Sequence, residues 1–277
     1  MIERSSRPRD PELDFFLFRC NVIFRKTTHE EKIGTEICET TERKGGVIMN
    51  RQIFQDALER MEQSKHFRLV ALGASNTERY MPGIHWTDVL ELGLRSRFGR
   101  KFQLINAGVS GNNTREALAR FDRDVAFFQP ALVIVTLGGN DCRTDQKSVS
   151  ESEFRENLEA IGSKIEVLDA IPIFQTYYKM DLEAMDPVRA ERFVRNMEII
   201  REVAEQHSWH LVDQYAVFEK VDPVTHRYEL MINAMHTNEQ GNILIGIELL
   251  RHFDIDPLKI GHPEKLLPAI RLRERLD

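Results

Sequence analysis

Four short segments of this 277-residue chain gather serine, glycine, asparagine and histidine. They are Gly73-Ala74-Ser75-Asn76-Thr77, Asn106-Ala107-Gly108-Val109-Ser110-Gly111-Asn112-Asn113-Thr114, Gly138-Gly139-Asn140-Asp141 and Asn233-Ala234-Met235-His236. Together these residue types can perform acyl transfer. A serine hydroxyl attacks a carbonyl only when a base takes its proton, and histidine suits that task near neutral pH. The tetrahedral intermediate needs fixed N–H donors around its oxyanion. Glycine lets a backbone N–H approach closely, and asparagine adds a side-chain amide donor. Singly, each segment has an ordinary explanation. A serine after a strand usually caps a helix, a glycine-rich turn simply turns, and His236 is one of nine histidines. Their order along the chain is what gives them weight.

The surrounding pattern supplies elements to hold them. Phe67–Gly73 (FRLVALG) is a short apolar run ending in glycine and reads as a buried strand. Phe102–Asn106, Ala131–Leu137, Ile171–Thr176 and Trp209–Val212 read as four more. Helices are expected over His85–Phe98, Thr114–Phe128 with Thr114 as its N-cap, Ser150–Leu168, Pro187–His207 and Asn238–Phe253. Ile53, Leu58 and Met61 fall at near-helical spacing within Asn50–Lys65. Strands alternating with helices predict parallel βαβ units and a sheet covered on both faces. Right-handed crossovers then make an α/β three-layer sandwich, α/β/α and doubly wound. Ligands of such sheets bind beyond the carboxyl ends of the strands, where three of the four segments fall. The fourth immediately precedes the last helix. Tyr177–Arg189 follows the fourth strand and is expected to form part of a pocket wall or a lid.

The bulk properties fit one globular unit. The chain is 42% hydrophobic and 30% charged, with a formal net charge of −6. That balance argues against nucleic acid or an anionic membrane as partner, since either favours a basic face. Three scattered thiols, Cys20, Cys38 and Cys142, form neither a disulfide framework nor a metal-ligand spacing. With no apolar run near the ~18–20 residues of a membrane span and no signal-peptide pattern, a cytoplasmic location is expected. No metal or cofactor is called for. Homo-oligomerisation is left open.

Residues 1–48 show no stable helical or strand period and are read as a poorly ordered extension. The codons of Lys44-Gly45-Gly46 can spell a purine-rich bacterial ribosome-binding sequence at the usual distance before the codon of Met49. Translation from Met49 is therefore one expectation, and a genuine N-terminal extension is the other. The catalytic unit is expected over residues 49–256, followed by a C-terminal tail over 257–277 with a short helix near Leu266–Leu272.

Taken together, the four segments resemble the sequence blocks of the SGNH (GDSL-type) hydrolase family, over most of the chain from about Phe67 to Phe253. Gly73-Ala74-Ser75 stands at the family's G-D-S turn, with Ala74 where many members have Asp. Gly138-Gly139-Asn140-Asp141 keeps the family's G-x-N-D block intact. The resemblance implies a flavodoxin-like parallel five-stranded sheet of order 2-1-3-4-5. It implies a serine esterase with Ser75 as nucleophile and His236 as base, and an oxyanion hole of Ser75, Gly111 and Asn140. Asn76, Asn112 and Asp141 lie in the same loops and are expected to bind substrate. The implied substrate is a small-molecule acyl ester, small or carbohydrate-borne and acetyl in the first instance, with lysophospholipids and thioesters as alternatives within the family.

One departure bears on the mechanism. The family's D-x-x-H block reads Asn233-Ala234-Met235-His236 here. An Asp at that position orients the histidine and stabilises the imidazolium, and in a serine protease the Asp-to-Asn change costs about 10⁴ in kcat. A native Asn serves in papain-like Cys-His-Asn sites. Three readings follow: Asn233 acts as a neutral third member, Glu229 or Glu239 substitutes, or the chain is a weakened or inactive binding protein of this fold. An α/β-hydrolase is disfavoured because the serine turn lacks the G-x-S-x-G pattern and comes after the first strand. A dinucleotide-binding protein is disfavoured because no G-x-G-x-x-G follows that strand.

Overall fold

The computed structural model describes residues 54–79, 82–261 and 263–277. The expectations for residues 1–48 lie outside the described residues.

Five parallel strands form one sheet: β1 (Phe67–Gly73), β2 (Phe102–Gly108), β3 (Leu132–Thr136), β4 (Ile171–Gln175) and β5 (His210–Val212). Their spatial order is β2-β1-β3-β4-β5. Between and around them run α1 (Gln55–Gln63), α2 (Trp86–Phe98), α3 (Thr114–Ala119), α4 (Phe121–Asp124), α5 (Glu151–Val167), α6 (Pro187–Gln206), α7 (Gln214–Glu219), α8 (Pro223–Thr225), α9 (Glu239–His252) and α10 (Leu267–Leu276). Every residue of β3 is buried, as its unbroken apolar run requires of a strand covered on both faces. Helices α2 and α9 pack against each other, as do α5 and α6. Each apolar side chain buried between these layers and the sheet contributes about 1.5–3 kcal/mol.

The strand order reverses between β1 and β3, which leave the switch point in opposite directions. Register pairs Gly73 at the end of β1 with Gly108 of β2 and with Thr136 of β3. The loops after these three strands therefore open onto one edge, the place where a doubly wound sheet holds its ligand.

Two local expectations are corrected. The segment after Asn113 is not one helix to Phe128. It breaks at Arg120 and again at Val125, and the turns seat both Phe121 and Val125 in the core. Its N-cap is Asn113 rather than Thr114. The Asn113 side chain accepts from Glu116 N–H while the Glu116 side chain accepts from Asn113 N–H, a complete capping box.

The C-terminal residues form α10, which packs on α9 through buried Ala269, Ile270 and Arg273. Arg273 Nε donates to Glu248 Oε2 at 2.5 Å. Burial pushes the Glu248 carboxyl up, but bonds from His252 and Arg273 more than offset it and bring it down to about 2. No helix among the described residues is long and apolar enough to cross a membrane.

Candidate active site

Ser75 stands on a tight turn directly after β1. The Ala74 carbonyl accepts the N–H groups of Thr77 and Glu78, at 3.0 and 2.8 Å. This one helical turn aims Ser75 off the sheet edge. The turn presses on the end of β2, where a Cβ on Gly108 would lie 2.1 Å from Glu78 N. Only glycine fits that close approach. Asn106 Nδ2 clamps the turn by donating to the Thr77 carbonyl at 2.6 Å. Ala74 is fully buried, so its site has no room for a solvated carboxylate.

His236 arrives from the other end of the chain. Its loop is closed by an antiparallel bridge between Met231 and Thr237, and Ile232 N–H donates to the His236 carbonyl at 2.8 Å. Buried Tyr178 donates its hydroxyl to the Met235 carbonyl at 2.6 Å. In this loop His236 Nε2 meets Ser75 Oγ at 2.9 Å. Asn233 Oδ1 lies 3.1 Å from His236 Nδ1 and also accepts the N–H groups of Met235 and His236 at 2.9 and 3.0 Å. An oxygen already holding two N–H groups accepts a third from Nδ1, which leaves Nε2 as the acceptor toward the serine hydroxyl. Burial lowers the His236 pKa, so the ring is neutral at pH 7. Glu239 Oε1 accepts Ile84 N–H at 3.0 Å. Glu229 offers the loop its backbone carbonyl, which accepts from Asn238 Nδ2.

The residues expected to hold an oxyanion line the same cavity as Ser75 and His236. Gly111 has φ of +77°, a left-handed conformation that favours glycine. Asn140 donates one Nδ2 hydrogen to the Asn112 carbonyl at 2.9 Å, which fixes the amide and leaves its second hydrogen available. Ser75, Ser110, Gly111, Gly139, Asn140, His236 and four further residues line one cavity of about 180 Å³. Tyr177, Met180 and Arg189 are among the four, so the segment after β4 does form part of the wall. A smaller recess on the far side of Ser75 and His236 is lined by Asn76, Ile84, His85 and Ile232 among others.

The three residues expected at the substrate fare differently. Asn76 borders the smaller recess. Its carbonyl accepts Trp86 Nε1 at 2.7 Å and His85 Nε2 at 3.1 Å. Asn112 turns its side chain away and accepts from Arg120 Nε at 2.7 Å. Asp141 is a correction: it is fully buried and does not line the cavity. Its Oδ1 accepts both N–H and hydroxyl of Thr114, at 2.9 and 2.6 Å, so it ties the loop after β3 to the start of α3. Burial raises its pKa against those bonds.

Two structural residues escaped the sequence reading. Arg120, 8% exposed, donates to the Gly73 and Ala107 carbonyls, both at 2.8 Å, as well as to Asn112. It thus joins the ends of β1 and β2 to the Gly111 loop. Buried His85 has its pKa lowered to about 4, chiefly by desolvation, and is neutral. Its capping box with Asp88 starts α2 beside the smaller recess. Among the described residues no group of His, Cys, Asp and Glu is arranged to hold a metal ion.

Comparison with known proteins bears on the fold and the family. The chain is 24% identical over 188 residues to an acetylxylan esterase of Geobacillus stearothermophilus, covering 64% of this chain and 80% of that protein. It is 27% identical over 201 residues to the uncharacterized lipoprotein YqeF of Bacillus subtilis, covering 63% and 81%. Among solved structures, the acetylxylan esterase Axe2 of Geobacillus stearothermophilus superposes with a TM-score of 0.58 at 20% identity, over 71% of this chain and 97% of that one. The acetyl xylan esterase AlAXEase gives 0.59 at 20% identity, over 66% and 98%. The family described as GDSL-like lipase/acylhydrolase matches residues 71–243, from β1 into α9, and the chain belongs to that family.

Proposed function

We propose that the chain is a serine ester hydrolase that deacylates a small or carbohydrate-borne acyl ester, acetyl in the first instance, through an acyl-enzyme on Ser75. The observation that carries this reading is the 2.9 Å contact between Ser75 Oγ and His236 Nε2 in one cavity with Gly111 and Asn140. His236 takes the Ser75 proton as Oγ attacks the ester carbonyl. The negative charge that develops on the carbonyl oxygen meets the N–H groups of Ser75 and Gly111 and the second Asn140 amide hydrogen. His236 returns its proton to the departing alcohol, then activates the water that releases the acid. Acetylxylan esterases among the similar proteins support the acetyl choice. Catalytic mutants of the acetylxylan esterase Axe2 replace a serine, an aspartate and a histidine, with the aspartate three residues before the histidine, and this supports the assignment of Ser75 and His236. Asn233 and His236 keep that spacing.

Incubation with a fluorophosphonate is expected to place one adduct on Ser75, read by mass spectrometry of the peptide. The labelling rate is expected to rise with pH through a midpoint below the ordinary histidine value and to stay flat above it, because the base must be neutral and burial lowers its pKa. Absence of labelling, with no hydrolysis of 4-nitrophenyl acetate, would overturn the reading.

Asn233 favours a second reading, a site with weakened catalysis. Its oxygen orients His236 but brings no charge to stabilise the imidazolium. Asn233→Asp keeps all three acceptor contacts and adds that charge. Turnover of 4-nitrophenyl acetate is expected to stay level or rise in this variant, and its pH limb to move upward because a carboxylate favours the protonated ring. A large loss of turnover would mean that the amide has a role of its own.

A further inference from the structure

The wall of the main cavity carries a cation that hydrolysis of a neutral ester does not use. Arg189 lines this cavity together with Ser75, Gly111, Asn140 and His236. Among the described residues its Nε is buried with no hydrogen-bond partner. Its backbone N–H donates to Asp186 Oδ1 at 3.0 Å and caps the start of α6, a bond that does not involve the side chain. The Cys142 thiol lies beside the guanidinium, and burial pushes that thiol up, so it stays uncharged. Asp145 feels the charge of Arg189 but is held by Arg143. One turn along α6, Arg192 donates only to neutral acceptors, the Arg143 and Val149 carbonyls and Ser148 Oγ, at 2.8, 2.9 and 2.8 Å. The other two arginines of α6 are neutralised: Arg195 pairs with Glu151, Glu198 and Glu202, and Arg201 pairs with Asp213. The charges that lack a carboxylate thus gather at the end of the helix that meets the cavity.

We infer that the ester accepted by this site carries a negatively charged group, a carboxylate or phosphate, that seats on Arg189. The inference rests on the reading of Ser75 as nucleophile and deepens it by naming the substrate class. A guanidinium presents a planar fork of donors matched to two oxygens of one anion. A neutral hydroxyl can accept the bond but leaves the charge of Arg189 and Arg192 unbalanced.

The test compares esters matched in shape and different in charge. On the acyl side, monoethyl succinate is compared with ethyl 4-methylpentanoate. On the alcohol side, 4-acetoxybenzoate is compared with 4-acetoxybenzamide. The charged member is expected to show the higher kcat/KM on one side, and that side tells which half of the ester reaches Arg189. In R189Q the charged-to-neutral ratio on that side is expected to fall about tenfold or more, while R189K keeps part of it. Added salt is expected to lower the wild-type ratio. A loss of structure changes both members of a pair and leaves the ratio in place. An unchanged ratio in R189Q, or a neutral preference on both sides in the wild type, would overturn the inference. If neither member of either pair is hydrolysed, the esterase reading fails by itself. The anion site is then decided by calorimetric titration with succinate: binding to wild type that is lost in R189Q upholds it, and equal or absent binding overturns it.

Discussion

Replacing His236 by alanine is expected to lower kcat/KM for 4-nitrophenyl acetate by about 10³- to 10⁴-fold, with the melting temperature nearly unchanged. The size follows from what the ring does. In the proposed mechanism it removes the Ser75 proton through a 2.9 Å contact and returns it to the leaving group, so its loss stops both halves of the reaction. The residual rate comes from the oxyanion donors and binding alone, which this substitution leaves in place. The drop is set below that of sites with a charged third member, because Asn233 orients the ring without charge and the wild type starts lower. Stability is spared because the ring is only half-buried and its loop is held by other groups: the Met231–Thr237 bridge and the Tyr178 hydroxyl on the Met235 carbonyl. Steady-state kinetics on both proteins, with thermal melts beside them, check the expectation. Activity within tenfold of wild type would remove His236 as the base.

The elements that hold this site were legible because their signals are local. FRLVALG is apolar throughout, of strand length, and closed by glycine, and β1 runs over Phe67–Gly73 as read. The strand order 2-1-3-4-5 came from the family resemblance, while the alternation of strands and helices gave the parallel doubly wound sheet, and the sheet has that order. The convergence of Ser75, Gly111 and Asn140 was legible for the same reason, since loops after neighbouring parallel strands must share an edge, whereas the place of His236, just before the last helix, rested on the family resemblance.

What escaped depends on contacts across the chain. Asp141 belongs to a block that reads as functional, yet its carboxylate is spent on Thr114, 27 positions earlier. The capping box Asn113-x-x-Glu116 was present in the sequence, but Thr114 also has a capping side chain, and local spacing alone does not choose between them. Arginines on helices ordinarily read as a solvated face, and Arg189 gives no sign in sequence that it faces a cavity. Arg120 did give one. It lies in line with Thr114, Ala117 and Phe121, the buried stripe of α3 and α4, and a charge in an apolar stripe implies a buried set of partners.

That set makes Arg120 the position where stability and catalysis are most closely joined. Arg120→Met keeps the length and bulk of the side chain and removes the donors. The Gly73 and Ala107 carbonyls then lose a partner inside the protein, Asn112 loses its anchor, and Asp124 loses an ion pair at 3.0 Å. Breaking a buried charge network of this kind costs about 3–5 kcal/mol, which lowers the melting temperature by roughly 10 °C in a domain of this size. Arg120→Lys keeps the charge but cannot span three acceptors lying in different directions, so it recovers only part of the loss. Activity should fall further than stability explains. The Asn112 carbonyl that fixes the Asn140 amide and the Gly111 N–H both sit in the loop that Arg120 anchors. Arg273→Met supplies the comparison, since it breaks a buried pair with Glu248 far along the chain and Arg273 does not line the cavity. At a temperature where both variants are folded, kcat on 4-nitrophenyl acetate is expected to drop by about 10²-fold for Arg120→Met, while Arg273→Met stays near wild type. Equal kcat in the two would reduce Arg120 to a stabilising residue. An effect confined to Arg120→Met would show that the oxyanion hole is built by a guanidinium that never touches the substrate.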